Sequence, residues 1–276
     1  MNTNTQLSGT TLVIGGTGKT GRRVLQGLQE NNVSVRLGSR SADPSFDWEN
    51  PSTWSAALEG VSSVYLTFYP DLAVPHAPSA IKQFCYVARH HGVQHIVLLS
   101  GRGEPAAQQC EDIVKVSGIP WTIIRASWFN QNFSEGAFYD MVKSGVIALP
   151  IGDVGEPFVD TDDIAEVAIK ALTEPGHVNK LYEVTGPRLL TFKAIAEELS
   201  KALDKKIKFI PISTEVFEQE MIKQHVPIDT IQMLLFLFNE VLDGRNEYIS
   251  HGVQEALGRP AKDFSAFAKE LNSNDA

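Results

Sequence analysis

The sequence predicts an α/β protein built on a doubly wound parallel sheet, with a smaller mixed lobe in its C-terminal half. In the first half, short apolar runs alternate with segments whose apolar residues recur at helical spacing, which is typical of βαβ units. Each predicted strand is almost continuously apolar, as expected when helices cover both faces of a sheet. The chain has 276 residues, 43% of them hydrophobic, which is enough to fill such a core.

The first half contains five predicted strands with helices between them. The strands are predicted at Thr10–Gly15, Ser34–Gly38, Ser63–Thr67, His95–Ser100 and Trp121–Arg125. The helices are predicted at Lys19–Glu30, Thr53–Leu58, Pro75–His91 and Pro105–Val116. Ser52 is expected to cap the second helix and Gly92 to end the third.

After Arg125 the regular alternation stops, and a second lobe is expected to begin. We expect the first domain to span residues 1–145 and to be completed by residues 157–186, which contain a helix and a sixth strand. Residues 146–156 and 187–276 then form the smaller lobe. Beyond its first helix and the strand Lys208–Ile212, this lobe is predicted to contain three further helical segments ending near Leu271.

Charge and composition exclude several classes of partner. The formal net charge of -9 repels phosphate backbones and anionic lipid, so neither nucleic acid nor membrane is expected to bind. The longest apolar run, Met233–Phe238, is too short to cross a bilayer. Residues 1–8 lack the features of a signal peptide. Cys85 and Cys110 form no spaced framework, which favours free thiols in the cytoplasm.

Metal binding is not expected. His90, His91 and His95 cluster in sequence, but no close-spaced set of Cys and His ligands accompanies them. The first two lie at the end of a predicted helix, where a positive charge favours the helix dipole. The sequence therefore predicts no metal site.

A glycine motif follows the first strand and opens the first helix. The segment Gly15-Gly16-Thr17-Gly18-Lys19-Thr20-Gly21 offers a tight turn at Gly15, a close backbone approach at Gly18 and close helix packing at Gly21. Free amides and the helix dipole can hold a pyrophosphate there. This predicts a Rossmann-type dinucleotide site, the alternative being a glycine turn without a ligand.

The end of the second strand indicates which dinucleotide binds. An acidic residue at this position selects NAD(H), but the chain has Gly38-Ser39-Arg40. Arg40 can neutralise a 2′-phosphate, and Lys19 of the glycine motif is close enough to help. NADP(H) is therefore favoured over NAD(H). The alternative is that both residues are solvated surface cations.

Several motifs resemble those of atypical short-chain dehydrogenases/reductases. They are the G-x-x-G-x-x-G spacing, Phe46-Asp47-Trp48 after the second strand, Leu98-Leu99-Ser100 and the Trp121–Phe133 block. The NmrA-like branch, which includes type 2 quinone oxidoreductases and ergot-alkaloid dehydrogenases, is the most similar. The resemblance runs from Thr10 to about Phe267 and thins after Ile212.

The resemblance implies positions for further cofactor contacts. It places Asp47 and Trp48 by the adenine, and Thr67, Phe68 and Tyr69 along the cofactor. It also implies that Ser100 and Gly101 surround the nicotinamide ribose, and Ser100 is the one candidate catalytic residue. Trp48 could instead belong to the core, and Ser100 could cap the next helix.

The usual proton donor of the superfamily is missing. Most members carry a Tyr-x-x-x-Lys pair on the helix after the Ser-bearing strand, but residues 108–112 contain neither residue type. Tyr139 and Lys143 match the spacing after the fifth strand, where we treat the match as coincidence. Losing such a donor slows carbonyl reduction by roughly 10²- to 10⁴-fold. Iminium and quinone substrates need the donor less, because they are cationic or give a delocalised anion.

The segment after the fifth strand is rich in aromatic and amide residues. These side chains could stack and orient a planar substrate, or they could pack the junction between the lobes. The candidates are Trp128, Phe129, Asn130, Asn132, Phe133 and Phe138. The apolar segment Ile228–Leu242 could line the same cavity or form the seam of a homodimer.

Two functions follow from these observations. The first is an NADPH-dependent reductase that transfers hydride to a small planar electrophile: a quinone, an iminium or an enone. The second is a non-catalytic, NADP-sensing regulator of the NmrA-like type. The aromatic block favours the enzyme, because it suits a small molecule.

Overall fold

A computed structural model describes residues 9–274. The segment 1–8, for which we predict no signal peptide, lies outside the described residues. The described residues form eight strands: β1 (Thr10–Ile14), β2 (Val35–Gly38), β3 (Val61–Leu66), β4 (His95–Gly101), β5 (Trp121–Ala126), β6 (Val146–Leu149), β7 (Lys180–Val184) and β8 (Lys208–Pro211).

The α-helices of the same residues are α1 (Lys19–Glu30), α2 (Trp54–Leu58), α3 (Ala77–His90), α4 (Pro105–Lys115), α5 (Ala137–Ser144), α6 (Thr161–Thr173), α7 (Phe192–Ala202), α8 (Thr214–Lys223), α9 (Ile228–Phe236), α10 (Gly252–Leu257) and α11 (Phe264–Asn274). Two 3₁₀ turns, Pro51–Thr53 and Asn130–Phe133, and one π-helical turn, Leu237–Val241, complete the list.

Six strands form one parallel sheet in the order β2-β1-β3-β4-β5-β7. Every residue of β3 is buried, as expected for a strand covered on both faces. The chain turns outward from β1 to β2 and then returns to β3 on the other side of β1. This switch of direction opens a crevice at the carboxyl ends of β1 and β3, where sheets of this class bind ligands. The predicted Rossmann-type α/β fold is confirmed.

The described chain divides into two units. Unit 1 comprises residues up to Ala126, Thr161–Val184 and His251–Arg259. It contains the six-stranded sheet, and its core includes the fully buried rings of Trp54 and Phe84. Helix α1 packs against α6, and an ion pair of 2.6 Å joins Arg23 of α1 to Asp162 of α6.

Unit 2 comprises Ser127–Asp160, Thr185–Ser250 and the residues from Pro260 onward. Its strands β6 and β8 pair in parallel, and its core is rich in phenylalanine. This division differs from the boundaries expected at residues 145, 157 and 186. The chain leaves unit 1 directly after β5 because the Ser127 hydroxyl donates to the Pro157 carbonyl at 2.6 Å and the Val159 amide donates to the Trp128 carbonyl at 2.8 Å.

No local pattern in the sequence indicates that α10 belongs to unit 1. Gly252 lies so close to β7 that a Cβ there would come within 2.2 Å of the Glu183 carbonyl oxygen. Arg259, which follows α10, pairs with Asp163 of α6 at 2.7 Å. A short helix late in the chain is therefore part of the first unit.

Two local expectations were wrong. The first turn of the second helical segment is capped by Asn50, whose side chain accepts from the Ser52 amide at 3.3 Å, and not by Ser52. After β8 the structure has four α-helices and a π-helical turn where three helical segments were predicted. Gly92 does end α3, with a φ of +77°.

Among residues 9–274, no helix combines the length and the apolar character that crossing a membrane requires. Cys85 and Cys110 are buried free thiols, as predicted. No group of three or more His, Cys, Asp or Glu residues in this part of the chain is arranged to hold a metal ion.

Candidate cofactor and substrate sites

The glycine-rich turn joins β1 to α1. Gly15 has a φ of +70°, which glycine adopts without strain. A side chain at this position would also meet the Thr67 hydroxyl oxygen at 2.3 Å, and that hydroxyl donates to the Ile14 carbonyl at 2.9 Å. Conformation and space therefore both require glycine at this position.

The N-terminus of α1 is open to solvent. Its N-cap, Gly18, has no side chain to cap the helix, and the first turn carries no acidic residue. Thr17 and Gly18 are exposed, whereas Thr20 and Gly21 are buried. A Cβ on Gly21 would lie 2.1 Å from the Gly15 carbonyl oxygen, so the helix packs directly on the turn. The Gly18 amide donates to the Gly15 carbonyl at 2.8 Å, and the positive end of a helix without a capping side chain suits an anionic group such as a pyrophosphate.

Two cations lie at the same edge of the sheet. Arg40 is exposed and follows β2, while Lys19 is half-buried in the first turn of α1, which follows β1. The two strands are parallel neighbours with Ile14 beside Gly38, so the segments that leave them start side by side. Ser39, between β2 and Arg40, has its hydroxyl 3.3 Å from that of Ser41.

Trp48 packs on the core of unit 1 and keeps part of its surface exposed. Its indole N–H donates to the Thr67 carbonyl at 3.1 Å, and its ring lies 4.7 Å from that of Phe68. The backbone carbonyl of the half-buried Asp47 accepts a hydrogen bond from the indole N–H of Trp54 at 2.7 Å. These contacts fix the segment after β2 against the end of β3.

Phe68 and Tyr69 differ in exposure although they are adjacent. Phe68 is nearly buried beside the His76 ring, whereas the side chain of Tyr69 is 70% exposed. Tyr69 is thus the residue of the Thr67–Tyr69 segment with the most surface available to a ligand.

The end of β4 carries a buried ion-pair network. The Ser100 hydroxyl donates to Glu111 of α4 at 2.8 Å, and Arg125 of β5 donates to both Glu111 carboxylate oxygens at 2.9 and 2.6 Å. Arg102 extends the network by donating to Glu183 of β7 at 2.9 Å. Ser100 therefore holds the Glu111 carboxylate and does not cap α4, whose N-cap is Glu104.

A second buried carboxyl group lies beside this network. A Cβ on Gly101 would come within 2.1 Å of the Glu104 Oε1 atom, so the carboxyl group rests on the Gly101 backbone. The carboxyl group of Asp71, in the segment after β3, lies beside that of Glu104. Burial, and then the charges of Asp71 and Glu111, raise the pKa of Glu104 well above its ordinary value. Burial raises the pKa of Asp71 as well.

Sequence reasoning missed the Asp71–Glu104 pair. One signal was available, because each residue follows closely on the carboxyl end of one of two neighbouring strands. Nothing in the sequence shows, however, that either carboxyl group is buried, and acidic residues after strands are common on loop surfaces.

Unit 2 contains the predicted aromatic block. The rings of Trp128 and Phe138 stack at 6.2 Å with an interplanar angle of 10°, and Phe138 stacks on Phe238 of the π-helical turn at 6.3 Å. Trp128 is half-buried, whereas Phe133 has no exposed surface. Phe133 is thus packed within unit 2, while Trp128 packs against the same core and keeps part of its surface exposed.

The neighbouring residues differ in exposure in the same way. Phe129 and Asn132 are half-buried, and the backbone N–H of Asn132 donates to the Phe129 carbonyl at 3.1 Å. Asn130 is fully buried, with its Nδ2 3.5 Å from Asp160. Helix α9 leaves Leu234 and Leu235 half-exposed, which is compatible with either role expected for residues 228–242.

The profile of the NmrA-like family matches residues 106–263, and that of a family described as NAD(P)H-binding matches residues 15–175. The chain belongs to the NmrA-like family. This NmrA-like protein is 32% identical to festuclavine synthase II of Penicillium roqueforti, across 94% of this chain and 97% of that protein. It is 30% identical to prestalk A differentiation protein A of Dictyostelium discoideum, across 99% and 95% of the two chains.

A solved structure shares the fold of this NmrA-like protein. The NADPH-dependent quinone oxidoreductase QOR2 of Escherichia coli, complexed with NADPH, aligns with a TM-score of 0.80 and 20% identity, covering 95% of this chain and 99% of that one. The predicted resemblance to NmrA-like reductases, the oxidoreductase class and the nicotinamide dinucleotide cofactor are confirmed. The individual cofactor and substrate residues stay predictions.

Proposed function

We propose that this protein is an NADPH-dependent reductase that transfers hydride to a small planar electrophile, namely a quinone, an iminium or an enone. One observation carries the proposal: the open N-terminus of α1 lies on a glycine turn that has no room for side chains, at the carboxyl edge of a parallel sheet. The names of relatives and neighbours that act as reductases or synthases support the same chemistry.

The residues of unit 1 fit a dinucleotide along this edge. The diphosphate would lie against Gly15, Thr17, Gly18, Thr20 and Gly21, where backbone amides at the N-terminus of α1 would donate to it. When bound, the nicotinamide supplies the hydride. The proposed contacts further along the edge are Asp47, Trp48, Thr67, Phe68, Tyr69, Ser100 and Gly101.

Lys19, Ser39 and Arg40 would bind the 2′-phosphate that distinguishes NADPH from NADH. We expect Arg40→Ala to weaken NADPH binding by about tenfold, because a charge-assisted hydrogen bond contributes about 1.5–3 kcal/mol. NADH binding is expected to change by less than about twofold, since NADH has no phosphate at this position. Titration calorimetry with both dinucleotides measures the two affinities.

Lys82→Ala is the matched control, because it removes one exposed positive charge from α3. It is expected to leave both affinities unchanged. An Arg40→Ala variant that loses NADPH and NADH equally contradicts the 2′-phosphate role, and tighter binding of NADH by the unaltered protein overturns the NADP(H) preference.

The substrate proposal rests on the cluster of aromatic rings in unit 2 and on the missing acid. Trp128, Phe129, Asn132 and Phe138 would hold a flat substrate, supported by the buried Phe133. Helix α4 contains no tyrosine, so a ketone would lack the superfamily's usual proton donor. Oxidation of NADPH measured against quinones, iminium ions and enones tests this, and no turnover with any of the three classes overturns it.

We expect Tyr139→Phe to leave the hydride-transfer rate within about twofold of the unaltered enzyme. Tyr139 and Lys143 match the Tyr-x-x-x-Lys spacing, but they lie on α5, where the Lys143 ammonium is 4.5 Å from the centre of the Tyr139 ring and 2.7 Å from Asp140. Single-turnover absorbance of NADPH measures the rate. A fall of about 10²-fold would show that the match is functional.

The second candidate is a non-catalytic regulator that senses NADP(H). It is favoured by the relative named for differentiation, whose name describes no reaction. Dinucleotide binding without turnover of any substrate class, together with a protein partner that co-purifies, supports this candidate over the enzyme.

A further inference from the structure

We propose that Tyr65 is a positioning residue of the dinucleotide site, whose buried hydroxyl holds the Thr20 side chain, and with it the first turn of α1, when the diphosphate binds. The inference rests on the proposed placement of the diphosphate at the glycine turn. Tyr65 is a residue of β3 that is not among the predicted cofactor contacts. All the residues that carry the inference belong to unit 1.

Tyr65 lies beside the strand that leads into the glycine turn. In the parallel pairing of β1 with β3 it is the partner of Val13, two residues before Gly15. The Thr67 hydroxyl, two residues further along the chain, is the atom that a Cβ on Gly15 would meet at 2.3 Å. The carboxyl end of β3 therefore lies directly against the turn that opens α1.

The Tyr65 hydroxyl is buried without a partner. The residue has no exposed surface, and its hydroxyl oxygen forms no hydrogen bond with any of the described residues. An unpaired buried hydroxyl is costly, so such groups are rare in folded proteins. By contrast, the buried hydroxyls of Thr11 and Ser63, on the same two strands, pair at 2.8 Å. The stability of the fold therefore gives no reason for a hydroxyl at Tyr65.

The polar neighbour of this hydroxyl is Thr20, in the first turn of α1. Thr20 is 5% exposed, and no hydrogen bond of ordinary geometry joins the two hydroxyls in this structure. Burial raises the pKa of Tyr65, so its hydroxyl stays protonated and can donate. A threonine hydroxyl can accept one hydrogen bond and donate another. Thr20 can therefore accept from Tyr65 while it donates to an oxygen of the diphosphate.

The backbone of the same turn is available to an anion. The first N–H groups of an α-helix have no acceptor within the helix. Neither the Thr20 amide nor the Gly21 amide donates to a backbone carbonyl of the described residues, and no acidic residue lies in this turn. An anion bound to these amides fixes the turn, and with it the Thr20 side chain that Tyr65 meets. The hydrogen bond of Tyr65 is therefore expected to form when the dinucleotide binds.

The test is Tyr65→Phe, which removes only the hydroxyl. Titration calorimetry is expected to show NADPH and NADH each binding about fivefold more weakly, as for the loss of one hydrogen bond, because both carry the diphosphate. The urea midpoint of the unliganded protein is expected to stay or to rise, because the variant no longer buries an unpaired hydroxyl. A merely structural role would instead lower the midpoint and leave both affinities unchanged.

Tyr182→Phe is the matched control. Tyr182 is a buried tyrosine of the same sheet, on β7, and its hydroxyl lies 2.8 Å from the Nδ1 atom of His177. Removing this paired hydroxyl is expected to lower the urea midpoint and to leave both affinities within about twofold of the unaltered protein. The two variants are thus expected to have opposite effects on stability and on binding.

A double-mutant cycle tests whether Tyr65 acts through Thr20. Thr20→Val keeps the shape of the side chain and removes its hydroxyl. Adding Tyr65→Phe to this variant is expected to weaken binding by less than about twofold further, because the contact is already lost. A full additional loss of about fivefold overturns the contact with Thr20.

The outcomes separate the two proposals. If the unaltered protein binds neither dinucleotide, the proposed function fails and this inference fails with it. If it binds them and Tyr65→Phe binds as tightly, or loses affinity only together with a lower urea midpoint, Tyr65 is not a positioning residue while the dinucleotide site stands. Loss of NADPH affinity alone contradicts a contact that acts on the diphosphate.

Discussion

Replacing Glu111 with alanine is expected to lower the free energy of unfolding by about 3–5 kcal/mol, because it removes one partner of a buried ion pair. The Glu111 side chain has no exposed surface, and its carboxylate accepts from Ser100 and from two nitrogens of Arg125. The Arg125 guanidinium would lose two charge-assisted hydrogen bonds. Urea unfolding followed by circular dichroism measures the change.

Two further variants test the cause of this loss. Asp112→Ala removes an exposed carboxylate from the next position on α4, and it is expected to change stability by less than about 0.5 kcal/mol. The double replacement Glu111→Leu and Arg125→Met removes both charges, so it should recover most of the loss. A single variant as stable as the unaltered protein contradicts the argument.

Gly21→Ala is expected to destabilise the protein by about 3 kcal/mol, at the upper end of overpacking effects. It is also expected to weaken dinucleotide binding by at least about tenfold. The added Cβ would meet three backbone atoms of the glycine turn, the Gly15 carbonyl oxygen at 2.1 Å, its carbonyl carbon at 2.6 Å and the Gly16 Cα at 2.9 Å. None is the end of a flexible side chain, so the helix must move away from the turn. Calorimetry and urea unfolding measure the two effects.

Gly152→Ala is the matched control. No atom lies within 4 Å of a Cβ at this position, and its φ does not require glycine. The same substitution is therefore expected to change stability by less than about 0.5 kcal/mol and to leave binding intact. If Gly21→Ala binds NADPH as tightly as this control does, the turn does not hold the diphosphate.

Much of unit 1 could be predicted from the sequence because local patterns determine it. The apolar spacing gave α1 its observed bounds, Lys19–Glu30, and the glycines gave the turn before it. Asn50 and not Ser52 caps the next segment because the choice between two nearby polar residues depends on the fold of the loop. Likewise, the chain leaves unit 1 at Ser127 because of hydrogen bonds to residues some 30 positions later, and no local pattern encodes such contacts.

The same difference between local and long-range determinants applies to the candidate site. A phosphate-binding role could be predicted for the glycines, Arg40 and Lys19, because such a site needs those residue types at those positions. Ser100 is predicted as a candidate catalytic residue, yet in the structure its hydroxyl donates a hydrogen bond to Glu111. The sequence does not single out Glu104 and Asp71, because the burial that raises the pKa of both carboxyl groups is created only by the packing of the segments after β3 and β4.

The position of α10 in unit 1 has a consequence for how this protein folds during its synthesis on the ribosome. Unit 1 is assembled from three stretches, the last of which ends at Arg259, and this helix packs against β7. A nascent chain synthesised from its N-terminus can form the first five strands early, but it cannot complete this unit until Arg259 has been translated. Completion of unit 1 therefore waits for the synthesis of most of unit 2.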